Sequence, residues 1–428
     1  MTAWQNWSGQ TSCTPALVAR PQSEEELAFA LKRSAGRSVR PIGSSHSFTE
    51  LCVTDGVQID LSALRQLISV DGQDRVRVQA GITLHDLNRK LLRRGLALPN
   101  LGDIDTQTLA GAAATGTHGT GLGFGNISQT IVSMRIMAAD GTIHEISGGD
   151  ELRAARISLG ALGVVTELTL QCVPSFRLHR RQSVRDLDSA LADLPALLAG
   201  TDHLELYLFP HTRRVLLLQS KRTDEDPWPS HPVKHWVERD LVENGALGAL
   251  MWAAGRVPSA APRISKFVAA LAGSNESQDE SASVFASPRK VKFTEMEYSL
   301  PLENAGEAIE TVLTAIEQNR HRVAFPLEVR FTQADDALLA PAYGRESAYL
   351  AVHQTIHGQW EPYFRDLEPI LVGLEGRPHW GKRHTLTAEQ LSVRYPEWQT
   401  FQDVRARLDP EGMFSGTYLN RLLGPVRP

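Results

Sequence analysis

The chain has 428 residues, a formal charge of -5, and 42% hydrophobic against 22% charged residues. That length allows two or three domains with real cores, and that balance excludes a disordered chain. Without a basic excess a nucleic-acid partner is not expected, and no run approaches the ~20 apolar residues of a membrane helix.

In chain order, Met1 to Gln10 shows neither a basic residue nor an apolar stretch of signal-peptide length, so a cytoplasmic protein without stable membrane insertion is expected. Ser23-Glu24-Glu25-Glu26 has the form of a capping box, opening a helix with Leu27, Ala30 and Leu31 on one face and a stop at Gly36. Val57 to Leu61 and Arg75 to Val78 alternate with period two, as half-buried strands do. Thr83 to Arg94 repeats the helical form, and Ile131 to Ile146 reads as a hairpin around Asp140-Gly141. Local hairpins among helices favour an α+β domain over a doubly wound sheet. Beyond about Ser175 polar loops lengthen, notably Thr223 to Trp236, and Gly273 to Ser287 is expected to be a mobile loop. Strands return at Leu204 to Leu208, Val291 to Leu300, Leu327 to Thr332 and Tyr349 to His353, which predicts a second, mostly antiparallel domain. Cys13, Cys52 and Cys172 are odd in number and far apart, so neither a disulfide framework nor a zinc ribbon is expected, and no metal site.

Two glycine-rich segments carry the chemistry of the first domain. Pro41-Ile42-Gly43-Ser44-Ser45-His46-Ser47-Phe48 follows a short strand, and its close Gly and Ser residues let backbone N–H groups and hydroxyls converge on phosphate oxygens. Gly111 to Gly121 is built from tiny side chains, against which a flat ring or a pyrophosphate could lie. Gly121, Gly123 and Gly125 imitate a dinucleotide fingerprint, but no buried strand precedes them and no helix opens there, so a Rossmann site is rejected. In the second domain, the alternation of Phe325 to Phe331 puts Glu328 and Arg330 on one strand face; a solvated ion pair is the plainer reading of such a pair.

The runs P-I-G-S-S-H-S-F, L-P-N-L-G-D-I-D, A-T-G-T-H-G-T-G and S-L-G-A-L-G-V-V-T, followed by P-L-E-V-R-F, R-P-H-W-G-K and L-D-P-E-G-M-F-S, occur in that order along nearly the whole chain. In this the sequence resembles the vanillyl-alcohol-oxidase-type flavoproteins, and within them the aldonolactone oxidoreductases and their alditol oxidase relatives. The resemblance implies an α+β fold: a two-part FAD-binding domain of the PCMH type over residues 1–175 and a substrate (cap) domain over 176–374. The cap would hold a mostly antiparallel sheet flanked by helices, and residues 375–428 would return to complete the active site.

It further implies FAD bonded through its 8α-methyl to His46. Pro41, Ile42, Gly43, Ser44, Ser45, Ser47, Thr108, Gly111, Thr115, Gly116, Thr117, His118, Val165 and His379 would line the cofactor. Ser45 stands where the family usually has glycine. By the same matching Glu328 and Arg330 grip the substrate and Lys382 reaches the reacting hydroxyl or the flavin. Beside a second cation, Lys382 has a reason for a depressed pKa and for taking a proton. His353 and Thr355 match substrate-pocket residues, with core packing the alternative for His353. Asp103 looks like the lactone branch and either touches the substrate or is a plain loop carboxylate. The implied reaction is hydride transfer from a sugar lactone to flavin N5, the hydroxyl proton passing to a pocket base or water. Gly102 leaves a small-residue path for O2, and a cytochrome or quinone is the other acceptor. The runner-up is an alditol oxidase acting on polyols such as xylitol or sorbitol.

Overall fold

The structure, a computed structural model, describes residues 3–72, 74–228, 247–287 and 291–426. Its first layer is a parallel three-stranded sheet of Leu17–Ala19, Val57–Asp60 and Val39–Ile42, with Val57–Asp60 in the centre. The helix Glu24–Arg33 lies between the first two strands in sequence and buries Leu27 and Leu31. Ser23 Oγ accepts from Glu26 N–H at 3.2 Å as the motif predicts, while Glu26 reaches Gln22 N–H rather than that of Ser23. Hairpin signals gave no hint of this sheet, because parallel strands need longer crossover connections than a tight turn.

A second, antiparallel sheet runs in the order Ile143–Ile146, Ile131–Met137, Val164–Gln171, Arg75–Gln79, Leu67–Asp71. The Asp140-Gly141 turn forms as read, with Asp140 Oδ1 accepting from Thr142 N–H at 2.8 Å. The largest sheet has eight strands, all antiparallel to their neighbours. Their order is Asn275–Glu280, Arg177–Asp186, Arg214–Thr223, His203–Leu208, Leu327–Thr332, Ser347–Thr355, Phe293–Pro301, Arg377–Pro378. The helices Ala305–Gln318 and Trp360–Gly373 pack against Ser347–Thr355. The expected α+β class, with a large antiparallel sheet in the second half, is what forms.

Gly273 to Ser287 is not a loop. Asn275–Glu280 is the edge strand of the large sheet and Ser281–Phe285 a short helix. Its polar composition suits an edge, and its carboxylates meet a cationic neighbour strand: Glu276 faces His179 at 3.3 Å and Arg181 at 3.7 Å, and Glu280 faces Arg177 at 3.3 Å. The polar loop expected from Thr223 lies, beyond residue 228, outside the described residues. Among the described residues no helix is long and apolar enough to cross a membrane.

After Arg377–Pro378 the chain crosses to the first domain: Phe48 N–H donates to Gly381 O at 2.8 Å and Val39 N–H to Met413 O at 2.9 Å. Arg40 fixes this junction. Its buried guanidinium donates to Leu51 O, Gly160 O, Phe414 O and Leu159 O at 2.6 to 3.0 Å. Arg40→Leu strands four carbonyls from three segments, and charged hydrogen bonds are worth ~1.5–3 kcal/mol each. Chemical denaturation is expected to show at least ~3 kcal/mol lost; a loss below about 1 kcal/mol would remove Arg40 from this role.

Candidate active site

Both glycine-rich loops open onto one cavity of about 350 Å³. Pro41, Ile42, Gly43, Ser44, Ser45, His46, Ser47, Thr108, Gly111, Thr115 and Val165 all line it. Its walls depend on missing side chains. A Cβ on Gly43 would stand 2.4 Å from Thr108 Oγ1, and one on Gly81 only 2.0 Å from Leu61 O. Ser45 sits at φ +60°, the left-handed region where glycine is at ease. Two tryptophans hold it there: Trp4 Nε1 donates to Ser45 Oγ at 3.0 Å and Trp7 N–H to Ser45 O at 2.8 Å. The serine thus departs from the family pattern yet adopts a backbone conformation open to glycine.

A second, smaller cavity of about 80 Å³ adjoins the first. His46, Ser47, Gln107 and Thr115 line both, so His46 stands where the two meet. Thr106 Oγ1 lies 2.9 Å from His46 Nε2, and the Trp7 ring stacks on the imidazole at 5.7 Å. Burial and the nearby Lys382 charge hold the His46 pKa below its ordinary value, so the ring is neutral at pH 7. Asp103, Thr117, His118, Glu328, Arg330, His353, His379 and Lys382 all face this smaller space.

Two expected residues do not line either cavity. Gly116 occupies a turn at φ +73° beside Ile157 and Pro341, so it shapes the loop from behind. Thr355 shares a strand with His353 but lies buried at its end, beside Gly255 of the helix Leu247–Arg256.

The large sheet supplies the charges. Glu205 and Arg330 are direct cross-strand partners, as are Glu295 and His353. Arg330, 7% exposed, lies 2.5 Å from Glu328, 3.7 Å from Asp103 and 3.8 Å from Glu205. Its Nε is buried without a hydrogen-bond partner among the described residues. Burial opposes the guanidinium charge, but three carboxylates outweigh it and hold Arg330 well above the usual value. Glu328 moves the other way: burial raises its pKa, because one guanidinium is shared among three carboxylates. Tyr207 Oη donates to Glu328 at 3.1 Å and also lies 3.3 Å from Glu205.

Lys382 contradicts the expectation of a depressed pKa. Its Nζ is 2.5 Å from Glu295 Oε2. Burial works against the ammonium, yet Glu295 and Glu297 together raise its pKa above the ordinary value. It is a cation, not a base. The segment carrying it is rigid: Trp380 is fully buried, donates to Leu339 O at 2.6 Å and stacks on Tyr395 at 5.1 Å.

Sequence reasoning missed Glu205, Glu295 and Glu297. All three lay inside strands it did find, and a carboxylate recurring at i and i+2 in the apolar run Val291 to Leu300 was the available signal. It also missed the aromatic wall of Trp7, Phe48 and Phe293, with ring centroids 5.4 to 6.3 Å apart. One ligand atom each of His118, Glu297 and His379 fall within 4.8 Å, close enough for a metal by distance. Their hydrogen bonds set them otherwise. The two nitrogens of His118 face Gly119 O at 2.9 Å and Glu297 at 3.1 Å, so both are already engaged with protein oxygens. His379 Nδ1 accepts from Gly381 N–H at 3.0 Å, and burial lowers its pKa to about 4, which leaves the ring neutral with its hydrogen on Nε2.

Comparison with known proteins agrees with this architecture. Residues 15–147 match an FAD-binding domain, and residues 168–422 match the D-arabinono-1,4-lactone oxidase family. An L-gulono-1,4-lactone dehydrogenase of Mycobacterium tuberculosis is 44% identical over 99% of each chain. The L-gulonolactone oxidase of mouse is 32% identical over 98% of each, and an alditol oxidase of Streptomyces 33% identical over 99% of each. A cholesterol oxidase structure from Brevibacterium sterolicum superposes with a TM-score of 0.80 over 98% of this chain and 96% of that one, at 17% identity, which shows a shared fold. Fold and site together define an FAD-dependent oxidoreductase. The chain belongs to the D-arabinono-1,4-lactone oxidase family.

Proposed function

We propose that this protein oxidises a hydroxyl of an aldonolactone such as L-gulono-1,4-lactone, with FAD held covalently through His46. The observation that carries the reading is the junction at His46, with the larger glycine-lined cavity on one side and the Glu328–Arg330–Lys382 cluster on the other. The cavity fits the cofactor by its own chemistry. Its walls combine the Gly, Ser and Thr residues of the two loops with apolar Leu51, Leu159 and Val165, and Gln107 Oε1 is buried at the junction with no partner among the described residues, an acceptor for a ring N–H. Residues 41–47, Thr108, Gly111, Thr115 and Val165 would hold FAD, with Thr117, His118 and His379 at the neighbouring substrate space. FAD when bound supplies the hydride acceptor.

The chain's own residues bind and polarise. Arg330 and Lys382 present two cations to a hydroxyl oxygen and stabilise negative charge developing on it. Asp103 and Glu328 are placed to accept from further sugar hydroxyls, and Trp7, Phe48 and Phe293 give the small cavity an aromatic wall. A 1–175, 176–374 and 375–428 division assigns the cofactor to the first part and the substrate to the second, with the third supplying Lys382. O2, a cytochrome or a quinone would take the electrons. Three free cysteines suit a cytoplasmic, reducing setting.

The test is steady-state turnover of the holoprotein with L-gulono-1,4-lactone, L-galactono-1,4-lactone, xylitol and sorbitol, each with O2, cytochrome c or a quinone. Lactones are expected to have kcat/KM at least ~10-fold above the polyols. Preference for polyols would move the protein to the alditol reading, and turnover of neither would reject both.

A further inference from the structure

We propose that Glu295 is a positioning residue for this reaction, clamping Lys382 and His353 side by side at the substrate cavity and keeping both as cations. The proposal rests on the reading of that cavity as the substrate site. Glu295 is 4% exposed, and each of its carboxylate oxygens is committed to one partner. Oε2 takes Lys382 Nζ at 2.5 Å, and Oε1 faces His353 Nε2 at 3.5 Å. His353 stands directly opposite Glu295 in the strand register, so the sheet itself sets that approach.

The state of His353 follows from its neighbours. Nδ1 lies 3.1 Å from Pro326 O, a contact that requires a hydrogen on Nδ1. Nε2 then faces a carboxylate, which a lone pair would repel and a second hydrogen satisfies. Burial works against that charge, but Glu295, and Glu328 behind it, outweigh it and raise the His353 pKa. Glu295 itself stays ionised although buried, because Lys382 and His353 lower its pKa more than burial raises it.

The same residue fixes Lys382 through the main chain. Arg383 N–H donates to Glu295 O at 2.9 Å, and His379 N–H to Glu297 O at 3.0 Å, so the strand Phe293–Pro301 holds the lysine segment on both sides. The ammonium also lies 5.2 Å over the Phe48 ring. The other titratable groups around Lys382 are Glu297, which is spent on His118, then Asp103, His353, His379 and His46. The contact with the ammonium at 2.5 Å is made by Glu295. Arg330 and the Glu295-bound pair therefore present three cations around one small space, which suits an oxygen that becomes negative as its proton passes to water while the hydride leaves the carbon for the flavin.

The test is competitive acetylation of the holoprotein with acetic anhydride across about pH 7 to pH 11, with Lys382 followed by peptide mass spectrometry. It needs no substrate, so it is decided separately from the lactone reading. In the wild type Lys382 is expected to titrate above the ordinary 10.5. In Glu295→Gln its labelling rate at pH 8 should rise at least ~10-fold, one pKa unit, and Glu295→Asp should restore most of the protection. With a lactone substrate, Glu295→Gln should also shift the alkaline loss of the flavin reduction rate at least ~1 unit lower, with kcat falling more than KM changes. A wild-type titration below 10.5, or an unchanged labelling rate in Glu295→Gln, would overturn the proposal. Where Glu295→Gln fails to fold, the wild-type titration alone decides.

Discussion

Arg330→Ala slows anaerobic flavin reduction by an aldonolactone at least ~100-fold, the scale of losing a donor aimed at developing negative charge. The size follows from what surrounds the guanidinium. Glu328, Asp103 and Glu205 all lie within 4 Å of it, so its removal leaves their charge unbalanced, with Glu328 and Asp103 lining the space of the oxygen that must become negative. Arg330→Lys keeps the charge but not the planar fork, and should fall between wild type and alanine. Glu328→Gln should cost a similar factor, since the 2.5 Å contact with Glu328 holds the guanidinium in place. Breaking a buried pair also costs ~3–5 kcal/mol of stability, so rates are compared per folded, flavin-loaded molecule. Near-normal reduction by Arg330→Ala would remove it from the active site.

The second large effect concerns the cofactor. Wild-type protein precipitated with acid should stay yellow, whereas His46→Ala should yield colourless precipitate or be isolated as apoprotein. The chemistry that favours attachment is local. The imidazole stands at the meeting point of two cavities, and its lowered pKa leaves a neutral nitrogen available at neutral pH. Cys52, which also borders the larger cavity, is a weaker candidate, since burial raises the pKa of its thiol. If all the flavin of the wild type is extracted by acid, the linkage through His46 is wrong and the cavity holds FAD by contacts alone.

Much of this was legible along the chain because the signals are local. The helix at Glu24–Arg33 is written in its cap and its Leu27–Leu31 stripe, and the strand Leu327–Thr332 in a period-two alternation. The two glycine-rich loops pointed to the cavity through their clustered small side chains, although tight turns are the commoner use of such segments. What was not legible depends on partners far away in sequence. Lys382 was expected to lose its proton easily, and its state is reversed by Glu295, 87 positions earlier. The edge strand Asn275–Glu280 looked like a loop because its carboxylates make sense only beside Arg177, His179 and Arg181. Trp4 and Trp7 carried no pattern at all, yet they hold Ser45 in a backbone region that the family usually gives to glycine.

The most direct test of the central claim is to mix purified holoprotein with L-gulono-1,4-lactone in the absence of oxygen and follow the flavin absorbance. Complete bleaching within seconds to minutes, reversed by air or by an added acceptor, is the predicted result. Unchanged absorbance with the lactones, from protein carrying a full complement of flavin, would contradict it.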